Sequence, residues 1–185
     1  PAQGISSEAS FFVSRIDTAV DKLLDAAGKP GALALRGRTG VANSLAAYRL
    51  YLETFHGEDF KASGLAPQRI LWAATSVKDP SLRPSLYMEE LALPGSVNTA
   101  PAEALEAYFS DGRLNREPLV ARFAEADEHF AALDALGVDF QSVLRALEED
   151  GIQKFSKSYD GLLARIKAAM APEAEPQARP GAAAA

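Results

Sequence analysis

The chain has 185 residues, with 19 Lys and Arg against 25 Asp and Glu, a formal net charge of −6, and no cysteine. That length suits one domain with a sizeable core. The acidic balance, with no dense basic stripe, argues against long nucleic acids, and the missing cysteine excludes disulfides, thiolate zinc sites and cysteine nucleophiles. A local pocket for one small phosphate stays compatible with these totals. The amino-terminal PAQGISSEAS has no basic region and no long apolar run, so it does not read as a signal peptide. No window approaches the length of a transmembrane span, and a cytoplasmic location is expected. The chain begins without Met and reaches an apolar run by Phe11, as a chain cut from something longer would.

The first predicted element is ASFFVSRI (9–16), an apolar strand expected to be buried on both faces. In the following TAVDKLLDAAGKPG, Val20, Leu23 and Leu24 stand at helical spacing, and Gly28, Pro30 and Gly31 stop the helix. Val41, Leu45, Tyr48, Leu52 and Phe55 step by four, three, four and three, one stripe of an amphipathic helix over 39–56. Thr39 is its candidate N-cap, and Gly57 stands where a left-handed residue ends a helix. RILWAAT (69–75) is too short for a helix and reads as a second fully buried strand.

A short helix is expected over 84–90, then a turn at Pro94–Gly95 and a third strand, SVNTAP (96–101). Pro101 fits the first turn of the next helix, PAEALEAYFSDG, which stops near Gly112. Leu119, Phe123, Ala126, Phe130 and Leu133 form a further helical stripe ending at Gly137. Asp139 caps a helix carrying Phe140, Val143, Leu144 and Leu147 that is expected to end at Gly151, and Ile152, Phe155, Tyr159, Leu162, Leu163 and Ile166 form a closing stripe. From 171 to 185 the composition falls to Pro, Ala and Glu, which reads as a disordered tail or linker.

Short apolar strands alternating with amphipathic helices indicate parallel βα units, an α/β protein. Three such strands leave edges and faces uncovered, so the pattern suggests part of a larger sheet or barrel. Ligands of parallel α/β structures sit at the carboxyl ends of strands. Those ends carry Ser14, Arg15 and Asp17, then Thr75, Ser76, Lys78 and Asp79, then Asn98 and Thr99. A cation beside small hydroxyls at two of the three ends suits a phosphate. The competing reading is a local Arg15–Asp17 ion pair and a solvated Lys78–Asp79 turn. His56 fits a helix-terminus role, while His129, beside Glu125, Asp127 and Glu128, reads as solvated; neither has a ligand-spaced partner for a metal. No lysine lies inside an apolar strand, where a neutral Schiff-base amine would need to be.

ASFFVSRIDTAVDK, RTGVANSLAAYRLYLETF, PQRILWAATSVKDP, LYMEELALPGSVNTAP and LGVDFQSVLRALEEDGIQKFSKSYDGLLARI together resemble the transaldolases, over roughly residues 5–168. The similarity looks closest to the bacterial type sometimes fused to glucose-6-phosphate isomerase. The resemblance implies a (β/α)₈ TIM-type barrel that moves a dihydroxyacetone unit between sugar phosphates of the pentose phosphate pathway. Fructose 6-phosphate, sedoheptulose 7-phosphate, erythrose 4-phosphate and glyceraldehyde 3-phosphate are the implied substrates. The reaction runs through a lysine Schiff base on the fourth strand, without cofactor or metal. ASFFVSRID resembles the sixth strand, RILWAATSVKD the seventh and SVNTAP the eighth. The first five strands, with the lysine and the acid–base Asp and Glu, have no counterpart here.

By the same resemblance, Ser10 and Arg15 match the residues that hold the substrate phosphate, and Phe12 an aromatic lining the pocket. Lys78 stands where many members have a second phosphate-binding arginine, a point charge in place of a bidentate fork. The implied domain is the carboxyl-terminal portion of a barrel over 1–170. It would be inactive alone and completed by an N-terminal half in the same or another chain. A split barrel half, or a non-catalytic helical interaction module, is the alternative.

Overall fold

The structure is a computed structural model that describes residues 4–170; the Pro/Ala/Glu-rich stretch 171–185 lies outside them. The chain divides into two units, Pro1–Leu147 and Glu148–Ala185.

The first unit opens with a direct change of period. Strand β1 spans Glu8–Phe12 and helix α1 spans Val13–Ala27, with no residue between them. Val13, Ile16, Val20 and Leu24 recur at helical spacing, and all four are buried. The strand expected to reach residue 16 therefore ends at Phe12, and Ser14, Arg15 and Asp17 lie on the first turns of a helix. Gly28 takes the left-handed conformation at φ 57, as the sequence requires of a helix stop.

Helix α2, Thr39–Phe55, buries Leu45 and Tyr48 of the expected stripe, together with Ala42 and Tyr51. Its start lies hard against α1. A Cβ on Gly40 would stand 2.7 Å from Asp17 Oδ2 and 2.9 Å from the Val13 carbonyl oxygen, so only glycine permits this approach. Two expectations about the ends of α2 are corrected. Thr39 is not the cap; Arg38 occupies that position, without a side-chain cap bond, and Thr39 turns its hydroxyl into the core. Gly57 is extended, at φ −69 and ψ 159, because it opens a new short helix, α3 (Glu58–Ala62).

Strands β2 (Arg69–Ala73) and β3 (Val97–Asn98) complete a three-stranded parallel sheet in the order β1-β2-β3. Phe11 pairs with Trp72 and Phe12 with Ala73, while Leu71 pairs with Val97. Neither β1 nor β2 is buried on both faces as expected. Along β2 only Ile70 and Trp72 are buried; Leu71 and Ala73, which point to the other face, are half-exposed. The covered face carries Ile70 and Trp72, while on the other face Phe12, Leu71 and Ala73 are half-buried and Ser10 is exposed.

On the covered face, Trp72, Tyr48, Tyr87 and Leu91 join Val13 and Leu45 in one cluster. Burial of each large side chain contributes on the order of 2 kcal/mol or more. Tyr87 and Leu91 come from α4, Leu86–Leu91, which starts two residues after the expected boundary at 84. Helices α5 (Ala102–Asp111) and α6 (Leu119–Ala135) form as expected. A second cluster, with Ile16, Val20 and Leu24, draws α1 onto Leu133 of α6 and onto Val138 and Val143. Asp139 caps the next helix, α7, accepting from Ser142 N at 3.0 Å.

Helix α7 runs from Phe140 to Met170, without the break expected at Gly151. An interior glycine costs about 1 kcal/mol against alanine, which the helix-forming residues around it offset. The described part of the second unit, 148–170, is the remainder of this helix, with Ile152, Phe155, Tyr159, Leu162, Leu163 and Ile166 at helical spacing. Among the described residues no helix is long and apolar enough to cross a membrane.

Candidate functional site

The strand ends are tied together by backbone. Ser14 N, in the first turn of α1, donates to the Ala74 carbonyl at 3.0 Å, just beyond the end of β2. Ala74 has φ 51, in the left-handed region that non-glycine residues rarely adopt. Such strain persists only where the surroundings hold it, and it marks this strand end as a candidate site. Thr75 is buried behind it, and Thr99 N and Oγ1 both donate to the Trp72 carbonyl, at 3.0 and 3.1 Å. Asn98 Oδ1, at the end of β3, is buried with no hydrogen-bond partner.

Arg15 folds back over the strand it follows. Its guanidinium carbon lies 4.6 Å from the centroid of the Phe12 ring, a cation–π contact. Asp17 points elsewhere: its Oδ1 accepts from Gly40 N at 2.7 Å and its Oδ2 from the Tyr87 hydroxyl at 2.6 Å. The local Arg15–Asp17 ion pair does not form, because Asp17 closes the start of α2. Among the described residues no carboxylate pairs with Arg15. Strand alternation places Ser10 on the same face of β1 as Phe12, and Ser10 is exposed.

Lys78 lies apart from this group. Its Nζ donates to Ser76 Oγ at 3.1 Å. It lines a cleft of about 250 Å³ with Ser14, Asp17, Asp21, Arg36 and Asp79, a cleft that Arg15 does not line. Asp79 bonds Ser81 and pairs with Arg36 at 3.0 Å; these contacts hold its carboxyl below the ordinary value. The structure thus brings Ser10, Phe12 and Arg15 to one face of β1 and sets Lys78 in an adjoining cleft.

The floor of that cleft is acidic. Asp17 and Asp21 stand one helical turn apart on α1, and burial pushes both carboxyls above their ordinary range. Asp21 accepts from Gly37 N at 3.0 Å, so the two carboxylates together hold the chain entering α2. Burial, and then the Asp17 charge, push the Tyr87 hydroxyl upward. Sequence reading missed this clamp; its one signal was the four-residue spacing of Asp17 and Asp21 beside the buried stripe of α1.

The family model described as "Transaldolase/Fructose-6-phosphate aldolase" matches residues 2–166. The chain belongs to this family. A transaldolase of Frankia alni is 45% identical over 165 residues, covering 88% of this chain and 44% of that protein. Transaldolases of an Arthrobacter species and of Mycolicibacterium smegmatis are 44% and 45% identical, over 90% and 86% of this chain and 46% and 44% of theirs. The chain therefore spans less than half the length of these relatives.

Membership of the transaldolase/fructose-6-phosphate aldolase family directs attention to the lysines. In the first unit Lys22, Lys29, Lys61 and Lys78 are all exposed, and none lies on a strand. Lys154, Lys157 and Lys167 lie on α7.

The histidines divide. His56 follows α2 and contacts the Tyr51 hydroxyl at 3.1 Å, a helix-terminus role as expected. His129 is not solvated: it is 5% exposed and bonds Thr39 Oγ1 at 2.8 Å. Arg122, Ala126, His129 and Leu133 form the buried stripe of α6, so the helical period puts His129 inside while Glu125, Asp127 and Glu128 face out. Burial, and then the Arg38 charge, lower its pKa to about 4. Among the described residues no group of acidic or histidine side chains is arranged to hold a metal.

Proposed function

We propose that this chain supplies the phosphate-binding side of a transaldolase site, as strands six to eight of a (β/α)₈ barrel and the helices that follow. The Schiff-base lysine and the first five strands would come from a barrel half outside this sequence, in the same chain or a partner. The observation that carries the reading is Arg15, at the carboxyl end of β1, held over Phe12 and paired with no carboxylate among the described residues. An arginine so placed keeps its forked donors for a ligand, and a phosphate is the group they fit best. Ser10 lies exposed on the same face of the strand. Lys78 adds a point charge from the adjoining cleft.

In this reading the chain does no covalent chemistry. Arg15, Ser10 and Lys78 hold the phosphate end of a ketose or aldose phosphate, and Phe12 lines the pocket. Anchoring the remote phosphate fixes the sugar carbonyl relative to the lysine, and such positioning lowers the barrier. The substrates are those of dihydroxyacetone transfer in the pentose phosphate pathway, fructose 6-phosphate among them, and a cytoplasmic setting suits that chemistry.

The test is to incubate the 185-residue chain with fructose 6-phosphate and borohydride and measure its intact mass. No sugar adduct is expected, whereas a full-length protein treated in the same way gains one. A stoichiometric adduct on the 185-residue chain would place the reactive lysine within it and overturn the reading.

A further inference from the structure

The first two strands leave their ladder at the same level. Their last registered pair is Phe12 with Ala73, and the next residue of each departs in its own way. Val13 begins α1 directly, while Ala74 turns left-handed at φ 51. Among the described residues Ala74 is the one non-glycine residue with a positive φ. An alanine there is strained, because its Cβ crowds the following carbonyl where glycine would not.

What holds Ala74 in place lies across the sheet. The start of a helix leaves its first N–H groups without partners, and Phe12, at the cap of α1, makes no side-chain cap bond. Ser14 is only 3% exposed, so water does not serve its N–H. The Ala74 carbonyl does, at 3.0 Å. Where that carbonyl points depends on the φ and ψ of Ala74, so a residue driven out of the left-handed region would take the bond with it.

The bond joins the two segments that carry cations. Arg15 follows Ser14 directly, and Lys78 stands four residues beyond Ala74. Each segment is also anchored on its far side. Asp17 Oδ1 accepts from Gly40 N at 2.7 Å, and Thr99 N and Oγ1 both donate to the Trp72 carbonyl. We infer that Ala74 is a positioning residue for phosphate binding: its left-handed backbone fixes the start of α1, and with it the Arg15 guanidinium, relative to the segment that leads to Lys78. Ala74 acts through Arg15, so the inference rests on the phosphate reading of that arginine.

The test is steady-state kinetics of a full-length transaldolase carrying this segment, with fructose 6-phosphate and with unphosphorylated fructose. Glycine and asparagine tolerate the left-handed region, whereas a β-branched valine is an outlier there. Ala74→Val is expected to raise KM for fructose 6-phosphate about tenfold, as misplacing one charged contact implies, with kcat and the use of fructose unchanged. Ala74→Gly and Ala74→Asn are expected to keep the parent KM, and asparagine controls for side-chain bulk.

Arg15→Ala separates this inference from the reading beneath it. If Arg15→Ala leaves KM unchanged, the phosphate reading fails and the inference falls with it. Suppose instead that Arg15→Ala raises KM. Then an unchanged KM in Ala74→Val, equal harm from Ala74→Asn, or equal impairment with fructose overturns the positioning role alone. One measurement needs no variant to fold. In the 185-residue chain the Ser14 amide is expected to exchange hydrogen as slowly as amides inside α1, and fast exchange would remove the bond and the inference.

Discussion

Arg15 owes its availability to where Asp17 points. Two residues apart in sequence, they diverge by helical rotation, Arg15 over Phe12 and Asp17 into the joint with α2. A guanidinium resting on an aromatic face keeps its edge donors free. In a full-length protein carrying this segment, Arg15→Ala should raise KM for phosphorylated sugars about 10- to 100-fold, as loss of a charge-assisted contact implies. Adding Lys78→Ala should raise it further, and unchanged kinetics in both would remove the phosphate assignment.

His129 carries a different consequence at the same scale. Its pKa falls from 6.5 to about 4 in the folded chain, so the unfolded chain binds the extra proton first. Its contribution to stability is complete above pH 6.5 and is lost as pH falls through about 4, a loss of roughly 3 kcal/mol. His129→Gln should flatten the dependence of the urea midpoint on pH across that window. An unchanged slope would show that another group titrates there.

Among the elements, the joint of α1, α2 and α4 is the most constrained. Asp17 accepts from Gly40 N and from the Tyr87 hydroxyl, and Gly40 leaves no room for a Cβ. Asp17→Ala strands two buried donors and should cost about 2 kcal/mol, read as a lower urea midpoint. Gly40→Ala forces an atom against Asp17 and the Val13 carbonyl, and should destabilise by about 1–3 kcal/mol. Because burial raises the Asp17 carboxyl, its own effect runs opposite to that of His129. The favourable contribution of its protonated form is complete below 3.8 and is lost as pH rises through the raised value.

Element existence was largely legible in the chain, since periods of 3.6 and short apolar runs are local signals. The stripe of Leu45 and Tyr48 and the stop at Gly28 needed only neighbouring residues. The boundary at Val13 was less legible, because FFV reads as strand until Ile16, Val20 and Leu24 are counted with Val13. Gly151 misled for the converse reason, since a glycine marks a possible end but does not compel one.

For the molecule as a whole, the governing feature is a sheet covered on one face. Ile70 and Trp72 are buried, whereas Phe12, Leu71 and Ala73 on the other face are only half-covered. Parallel sheets are found with both faces covered. The 185-residue chain should therefore enhance the fluorescence of an apolar-surface dye. That signal should fall when an N-terminal barrel half taken from a full-length transaldolase is added. A signal unaffected by the added half would count against a barrel completed from outside.

The amino-acid sequence by itself determined the alternation of strands and helices and the family, because each is carried by neighbours along the chain. Tertiary structure alone decided what those residues meet. Asp17 finds Gly40 at a separation of 23 residues and Tyr87 at 70, and Thr39 finds His129 at 90. Burial and pKa follow from such meetings, and no local period encodes which distant side chain a helix face will reach.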